Sequence, residues 1–87
     1  MVHVYILRSL RTGKLYVGHT KDLSRRLAEH NTGQGGRYSR HNGPWELVHS
    51  EVHPNRSEAM RREKYLKSVA GSREKRRLAA VEELEQP

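Results

Sequence analysis

The sequence predicts a small α/β sandwich of the α+β kind, in which a three-stranded antiparallel sheet is flanked by helices in the order ββαβαα. Three short runs rich in apolar, β-branched and aromatic residues predict the strands. Three segments with polar capping residues at their start predict the helices. At 87 residues, with no linker or repeat, the chain is expected to form one domain over residues 1–87.

The first two strands are predicted at residues 2–7 and 15–19, and the polar segment 11–14 forms the turn of a hairpin. A two-residue turn would pair Tyr5 with Thr20, which puts Tyr5 and Tyr16 on one face but several residues apart. A bulge or another register would bring the two rings closer. The sequence leaves these alternatives open.

Asp22 is a good N-cap for a first helix that ends near Asn31. A segment with three glycines and a proline then predicts a loop over residues 34–44. The third strand is predicted over residues 45–52, and Trp45 at its start is expected in the core.

Two further helices are predicted after the third strand. Ser57 is the expected N-cap of the second helix, which ends near Ser68. Gly71 interrupts the helical pattern, and Ser72 is the expected N-cap of a third helix that ends near Leu84.

The charge of the chain favours a polyanionic partner. The net charge is +7 and the isoelectric point is about 10.3. Residues 56–77 hold nine basic and three acidic groups, whereas residues 78–87 hold acidic groups only. Nucleic acid is therefore the first expected partner and an acidic membrane surface the second, and no obligate protein partner is evident. A basic surface with no specific partner is the simpler alternative.

Other classes of protein are disfavoured by what the sequence lacks. The chain has no cysteine, which excludes disulfides and thiolate metal sites. No apolar run approaches the length of a membrane span, and no signal-peptide pattern opens the chain. A cytoplasmic protein without a membrane partner is the expectation.

The first helix carries a candidate pair, Arg26 and His30, spaced i, i+4. Leu23 and Leu27 form its apolar stripe, so the pair is expected half-sheltered along the edge of that stripe. Helix geometry alone favours ordinary flanking polar groups. Arginine and histidine are also suited to phosphate charge and proton transfer, as tyrosine is to accepting a proton.

Glu63 is the candidate metal ligand. It lies within an apolar stripe of the second helix, between Ala59 and Leu66. A carboxylate in such a stripe is costly unless a cation or hydrogen-bond donors compensate it. One interpretation is an internal salt bridge to an arginine. The other is a ligand for Mg²⁺ or Mn²⁺, which prefer oxygen donors.

Two basic segments are candidate nucleic-acid contacts. The glycine-rich loop contains cations and a tyrosine, which suits phosphates and bases, although a solvated loop is an equal alternative. The start of the third helix concentrates cations where the helix dipole disfavours them, which suggests a phosphate-facing surface, although a solvated face is the commoner alternative. The candidate contacts in the two segments are Arg37, Arg40, His41, Arg73, Arg76 and Arg77.

These residues together resemble the GIY-YIG nuclease superfamily. The GIY-like segment is His3-Val4-Tyr5, the YIG-like segment is Tyr16-Val17-Gly18, and the pattern continues with Thr20, Leu23, Arg26 and His30. The resemblance covers nearly the whole chain and is closest to small stand-alone bacterial members. It implies that the hydroxyls of Tyr5 and Tyr16 converge, and that Glu63 matches the family's metal-binding glutamate. His3 stands where the pattern has its first glycine.

The resemblance implies a metal-dependent DNA endonuclease that is weak or structure-directed. In this hypothesis Tyr16 or Tyr5 accepts a proton from the attacking water and Arg26 stabilises phosphate charge. His30 orients a tyrosine or takes part in the proton relay. A tyrosine base needs a nearby cation to lower its pKa. The competing hypotheses are a nucleic-acid-binding module with the same fold and little turnover, and a basic RNA- or ribosome-associated accessory protein.

Overall fold

A computed structural model describes residues 1–33 and 42–84. Within these ranges the strands are β1 (Val2–Ser9), β2 (Leu15–Thr20) and β3 (Trp45–His53), and the helices are α1 (Leu23–Asn31), α2 (Arg56–Lys67) and α3 (Ser72–Leu84). The sheet is antiparallel with the strand order β2-β1-β3. The predicted α+β sandwich with the order ββαβαα is confirmed.

The alternation of side chains along β1 separates the two faces of the sheet. One face packs against α2 and α3 through a buried cluster of Val2, Val4, Ile6, Val17, Val48, Ala59, Leu66 and Ala79. The other face packs against α1 through Tyr5, Leu7 and Trp45, with Leu23 and Leu27 of α1 against them. The expected core positions of Trp45 and of the Leu23 and Leu27 stripe are confirmed.

The hairpin turn is longer than two residues. The Ser9 hydroxyl accepts hydrogen bonds from the backbone N–H groups of Arg11 and Thr12, at 3.2 and 3.0 Å, and thereby organises the turn. Gly13 adopts φ of +79°, a conformation that glycine tolerates. As a result Tyr5 lies opposite Gly18, and the pairing of Tyr5 with Thr20 that a two-residue turn predicts is wrong.

The helix caps are partly as predicted. The Asp22 side chain accepts a hydrogen bond from the Arg25 N–H at 3.1 Å, which confirms this N-cap. The N-cap of α2 is Asn55 rather than Ser57, because Asn55 has an extended backbone and its side chain accepts from the Glu58 N–H at 2.9 Å. Ser72 is the first residue of α3 instead of its cap.

An ionic network ties β3 to both helices on its face. The Glu51 carboxylate lies 2.6 Å from Nε of Arg62, and Nη2 of Arg62 lies 3.1 Å from Oε1 of Glu74. Nε2 of His49 and Nε2 of His53 lie 2.8 and 2.9 Å from the two Glu51 oxygens. Burial opposes ionisation of Glu51, but these hydrogen bonds outweigh it, and the pKa of Glu51 falls to about 2.

In the part of the chain that the structure describes, no helix combines the length and the apolar character needed to cross a membrane.

Candidate catalytic site

Two tyrosine rings meet above Gly18 on the α1 face of the sheet. Tyr5 lies opposite Gly18 and Tyr16 lies opposite Leu7, so the two tyrosines are diagonal neighbours. Their ring centroids are 6.5 Å apart. A Cβ atom at position 18 would lie 2.5 Å from the Tyr5 hydroxyl and 3.2 Å from Cε1 of Tyr16. A glycine is therefore required here because the two rings occupy the space of a side chain.

We expect Gly18→Ala to lower the free energy of unfolding by about 1–3 kcal/mol, because the Tyr5 ring must move to admit the methyl group. Denaturant unfolding measures this change. Adding Tyr5→Phe removes the atom nearest to the new methyl group. The double variant should therefore lose less than the sum of the two single losses, and strict additivity would contradict this packing account.

His30 connects α1 to the tyrosines. Its Nε2 lies 3.1 Å from the Tyr5 hydroxyl, and its ring meets the Tyr16 ring edge-on at a centroid distance of 4.9 Å. His30 is 1% exposed, so the expected half-sheltered position is wrong for this residue. The physical reason is that His30 continues the apolar stripe of Leu23 and Leu27 one turn further.

The buried imidazole of His30 is neutral at neutral pH. Burial disfavours its charged form, the neighbouring Arg26 adds repulsion, and together they lower the pKa of His30 to about 4. A neutral imidazole has one nitrogen that donates and one that accepts. It can therefore accept the Tyr5 proton in a hydrogen bond, or donate to the Tyr5 oxygen as the other tautomer.

The low pKa of His30 predicts a loss of stability in mild acid. His30 takes up a proton near pH 6.5 in the unfolded chain and near pH 4 in the folded chain. The free energy of unfolding therefore has its full value above pH 6.5 and decreases as the pH drops to 4. The expected loss is about 3 kcal/mol. Denaturant unfolding between pH 4 and 7.5 measures it. His30→Gln should flatten this slope and His3→Gln should preserve it; an unchanged slope in His30→Gln would contradict the assignment.

Arg26 lies at the rim of the cluster with its side chain 31% exposed, which agrees with the expected half-sheltered position. Its Nη1 lies 3.1 Å from Oε1 of Glu29. Burial raises the pKa of Tyr5, and a hydrogen bond from Arg26 lowers it without overcoming burial. Because the guanidinium group only donates, the Tyr5 oxygen accepts from Arg26 and its own proton can point to His30.

Glu63 lies at the free edge of β2, where the two faces of the sheet meet. Although α2 packs on the face opposite α1, Oε2 of Glu63 lies 3.3 Å from Nζ of Lys67, and that ammonium lies 5.8 Å from the Tyr16 ring centroid. Oε1 of Glu63 lies 2.9 Å from Nδ1 of His19. The negative charge of Glu63 also contributes to the raised pKa of Tyr5. Glu63 thus approaches the tyrosines around the strand edge.

The Glu63 side chain is 20% exposed and is the carboxylate that a divalent cation would use at this edge. Among the described residues, no group of three or more His, Cys, Asp or Glu side chains could hold a metal ion. Mg²⁺ is often bound through one carboxylate, with waters and substrate phosphates as the other ligands. The donor set fits such a site if Lys67, which is half exposed, gives up its contact with Glu63.

The predicted nucleic-acid contacts are distributed unevenly. Arg76 lines a depression between the hairpin and α3. By contrast, Nη2 of Arg77 lies 3.7 Å from Oε1 of Glu74 in the ionic network. Arg73 is exposed on α3. The other three predicted contacts, Arg37, Arg40 and His41, lie outside the described residues.

Two residues at the candidate site, His19 and Lys67, were not singled out from the sequence. The relevant signals are simple. His19 follows Val17 on the β2 face that packs on α2, and Lys67 follows Glu63 at the i, i+4 spacing of a helical ion pair.

Comparison with known proteins identifies relatives over most of the chain. A family model described as the GIY-YIG catalytic domain matches residues 1–77. A UPF0213 protein of Halobacterium salinarum is 44% identical over 70 residues, which cover 80% of this chain and 90% of the relative. A UPF0213 protein of Staphylococcus saprophyticus is 38% identical over 78% of this chain and 82% of its own length. The solution NMR structure of a UPF0213 protein from Bacillus halodurans matches with a TM-score of 0.52 and 38% identity, covering 93% of this chain and 85% of that one.

Proposed function

Because this chain belongs to the GIY-YIG family, a family of nucleases that act on nucleic acids, we propose that it is a metal-dependent endonuclease that hydrolyses DNA phosphodiester bonds. The observation that carries this proposal is the convergence of Tyr5, Tyr16 and His30 above Gly18, with Arg26 at the rim and Glu63 at the strand edge. The names of the relatives describe no activity.

In this proposal Tyr16 is the proton acceptor. It acts as the tyrosinate, whose phenolate oxygen takes a proton from the attacking water as the water oxygen bonds to phosphorus. The opposite P–O bond breaks, and the leaving oxygen takes a proton from solvent water. Tyr5 is a poorer base because burial raises its pKa and because it is 2% exposed. The hydrogen bonds of Tyr5 with His30 and Arg26 suit a positioning residue, which holds the rim of the site beside Tyr16.

Arg26 and Glu63 are assigned to stabilising the negative charge of the phosphate. The guanidinium group of Arg26 donates hydrogen bonds to the non-bridging oxygens, where negative charge accumulates in the transition state. Glu63 would hold a divalent cation, Mg²⁺ or Mn²⁺, which when bound supplies positive charge to the phosphate and the leaving oxygen. Nucleases of this family generally use divalent metal ions, which supports this role.

We infer that cleavage is directed by DNA structure rather than by base sequence. The cations near the site are suited to phosphates, and phosphate contacts carry no sequence information directly. Substrates with exposed backbone at a branch, nick or single-stranded segment offer more ways to reach the rim of a small site than continuous duplex does.

The test is a cleavage assay on branched, nicked, single-stranded and duplex DNA with Mg²⁺, Mn²⁺ or EDTA. Tyr16→Phe, purified identically, is the matched control because it keeps the ring and removes the hydroxyl. The wild-type protein should cleave with metal and not in EDTA, and Tyr16→Phe should be slower by about 10²–10³-fold. Salt-sensitive binding without cleavage above the Tyr16→Phe level would favour the binding module instead.

A further inference from the structure

A basic groove runs along the free edge of β2, away from the tyrosines towards α3. Its larger part has a volume of about 560 Å³ and is lined by Arg8, Gly13, Leu15, Ser72, Lys75, Arg76, Ala79 and Ala80. A second depression of about 260 Å³ is lined by Leu15, Tyr16, Val17, Lys67 and Lys75. Leu15 and Lys75 line both parts, so the groove leads directly to Tyr16.

The charged residues that are described along this groove are all basic. The lining residues of its two parts include Arg8, Arg76, Lys67 and Lys75, and none of these lining residues is acidic. The Arg8 guanidinium donates to the Ala79 carbonyl at 3.3 Å, which holds it against α3. A groove of concentrated positive charge attracts a polyanion more strongly than the same charges spread over a surface.

Lys75 is the central residue of the groove. It is half-buried, and the structure gives its ammonium no ion-pair partner among the described residues. By contrast, Lys67 at the site end contacts Glu63, and Arg77 on the far side of α3 contacts Glu74. A partly desolvated ammonium without a counter-charge is unfavourable alone and becomes favourable when a phosphate supplies the charge.

We propose that this groove, centred on Lys75, binds the sugar-phosphate backbone of the DNA strand next to the phosphate at Tyr16. The inference rests on the proposed nuclease function, since it identifies the path by which the substrate reaches that site. Lys75 contacts one backbone phosphate, Arg76 and Arg8 border the next, and Lys67 lies at the junction with the candidate site. Among the described residues that line the groove, Tyr16 at its end is the only aromatic one, so the groove binds phosphates rather than bases.

The first experiment measures binding of fluorescent duplex DNA in EDTA, where cleavage does not interfere. Lys75→Met removes the charge and keeps an apolar stem, and Lys64→Met is the matched control because Lys64 is an exposed lysine of α2 outside the groove. Lys75→Met should weaken binding about tenfold at 50 mM salt and reduce the slope of log K against log salt by about 0.9. Lys64→Met should change neither value by as much, and Lys75→Arg should restore both.

A second experiment does not depend on Lys75. The chain has no cysteine, so Ser72→Cys introduces one thiol in the groove and Lys64→Cys introduces one outside it. Saturating DNA should slow alkylation of the thiol in Ser72→Cys by at least about fivefold, as expected for a site occupied most of the time, and leave Lys64→Cys unaffected. Equal alkylation of Ser72→Cys with and without DNA would overturn the proposal.

The two proposals fail differently. If Lys75→Met and Lys64→Met bind DNA alike while wild-type cleavage still needs Tyr16, the proposed binding of DNA in the groove is contradicted and the proposed nuclease activity is retained. If Lys75→Met weakens DNA binding and DNA protects Ser72→Cys, but the protein does not cleave DNA, the groove is retained as a DNA-binding surface and the proposed nuclease activity is contradicted.

Discussion

Replacing Glu63 with glutamine is expected to slow metal-dependent cleavage about 10³-fold while leaving DNA binding in EDTA intact or tighter. Glu63 is the carboxylate that we assign to the cation, and a glutamine amide is a much weaker ligand for a hard cation. Glutamine has nearly the same shape and can still accept a hydrogen bond from His19, so the fold should survive. Removing a negative charge beside the phosphate site favours binding.

Glu58→Gln is the matched control for this prediction. Glu58 lies on the same helix, and its contact with Arg61 at 3.5 Å is on the surface. The control variant loses the same charge and should cleave at the wild-type rate. Cleavage rates over a range of Mg²⁺ and Mn²⁺ concentrations, with binding measured in EDTA, distinguish chemistry from affinity. Undiminished metal-dependent cleavage by Glu63→Gln would contradict the assigned mechanism.

The largest effect on stability is expected from Glu51→Gln. Glu51 is 21% exposed and accepts hydrogen bonds from Arg62, His49 and His53, which lower its pKa to about 2. The variant leaves the Arg62 guanidinium partly buried with Glu74 as its remaining ionic partner. The expected loss is about 3 kcal/mol, or a melting temperature lower by roughly 10–20 °C for a domain of this size.

The same carboxylate predicts a second acid transition. The folded pKa of Glu51 lies below its ordinary value of 4.5, so its contribution to stability is complete above pH 4.5 and disappears as the pH falls towards 2. Urea unfolding from pH 2 to 7 should show the difference between wild type and Glu51→Gln shrinking below pH 4.5. Glu58→Gln again serves as the surface control, with an expected change below about 0.5 kcal/mol. A constant difference down to pH 2 would contradict the network account.

The elements were predictable because their signals are local. Asp22 caps α1 as its side chain and position indicate, and the helices begin and end within two residues of the expected positions. The N-cap of α2 shows where such local signals are insufficient. Asn55 and Ser57 are both good caps, and the choice of Asn55 depends on where β3 stops, at His53, which is set by pairing with β1.

The hairpin register was not predictable for a related reason. The segment 11–14 indicates a turn. Hydrogen bonds from the Arg11 and Thr12 N–H groups to the Ser9 hydroxyl stabilise a turn longer than two residues, and in the resulting register Tyr5 lies opposite Gly18. A change of register by two residues preserves which face each side chain occupies, so the hydrophobic pattern accepts either pairing. The approach of the Tyr5 and Tyr16 rings depends on this choice.

The sequence by itself determined the kind of residues, their charge and the order ββαβαα, because composition, periodicity and caps act over a few neighbours. Only the tertiary structure decided that His30 is buried against Tyr5, 25 positions away, and that Glu63 meets His19, 44 positions away. Those contacts depend on how α1 and α2 pack on opposite faces of one sheet. Packing of distant segments is selected by the whole core, and no local window of the sequence contains that information.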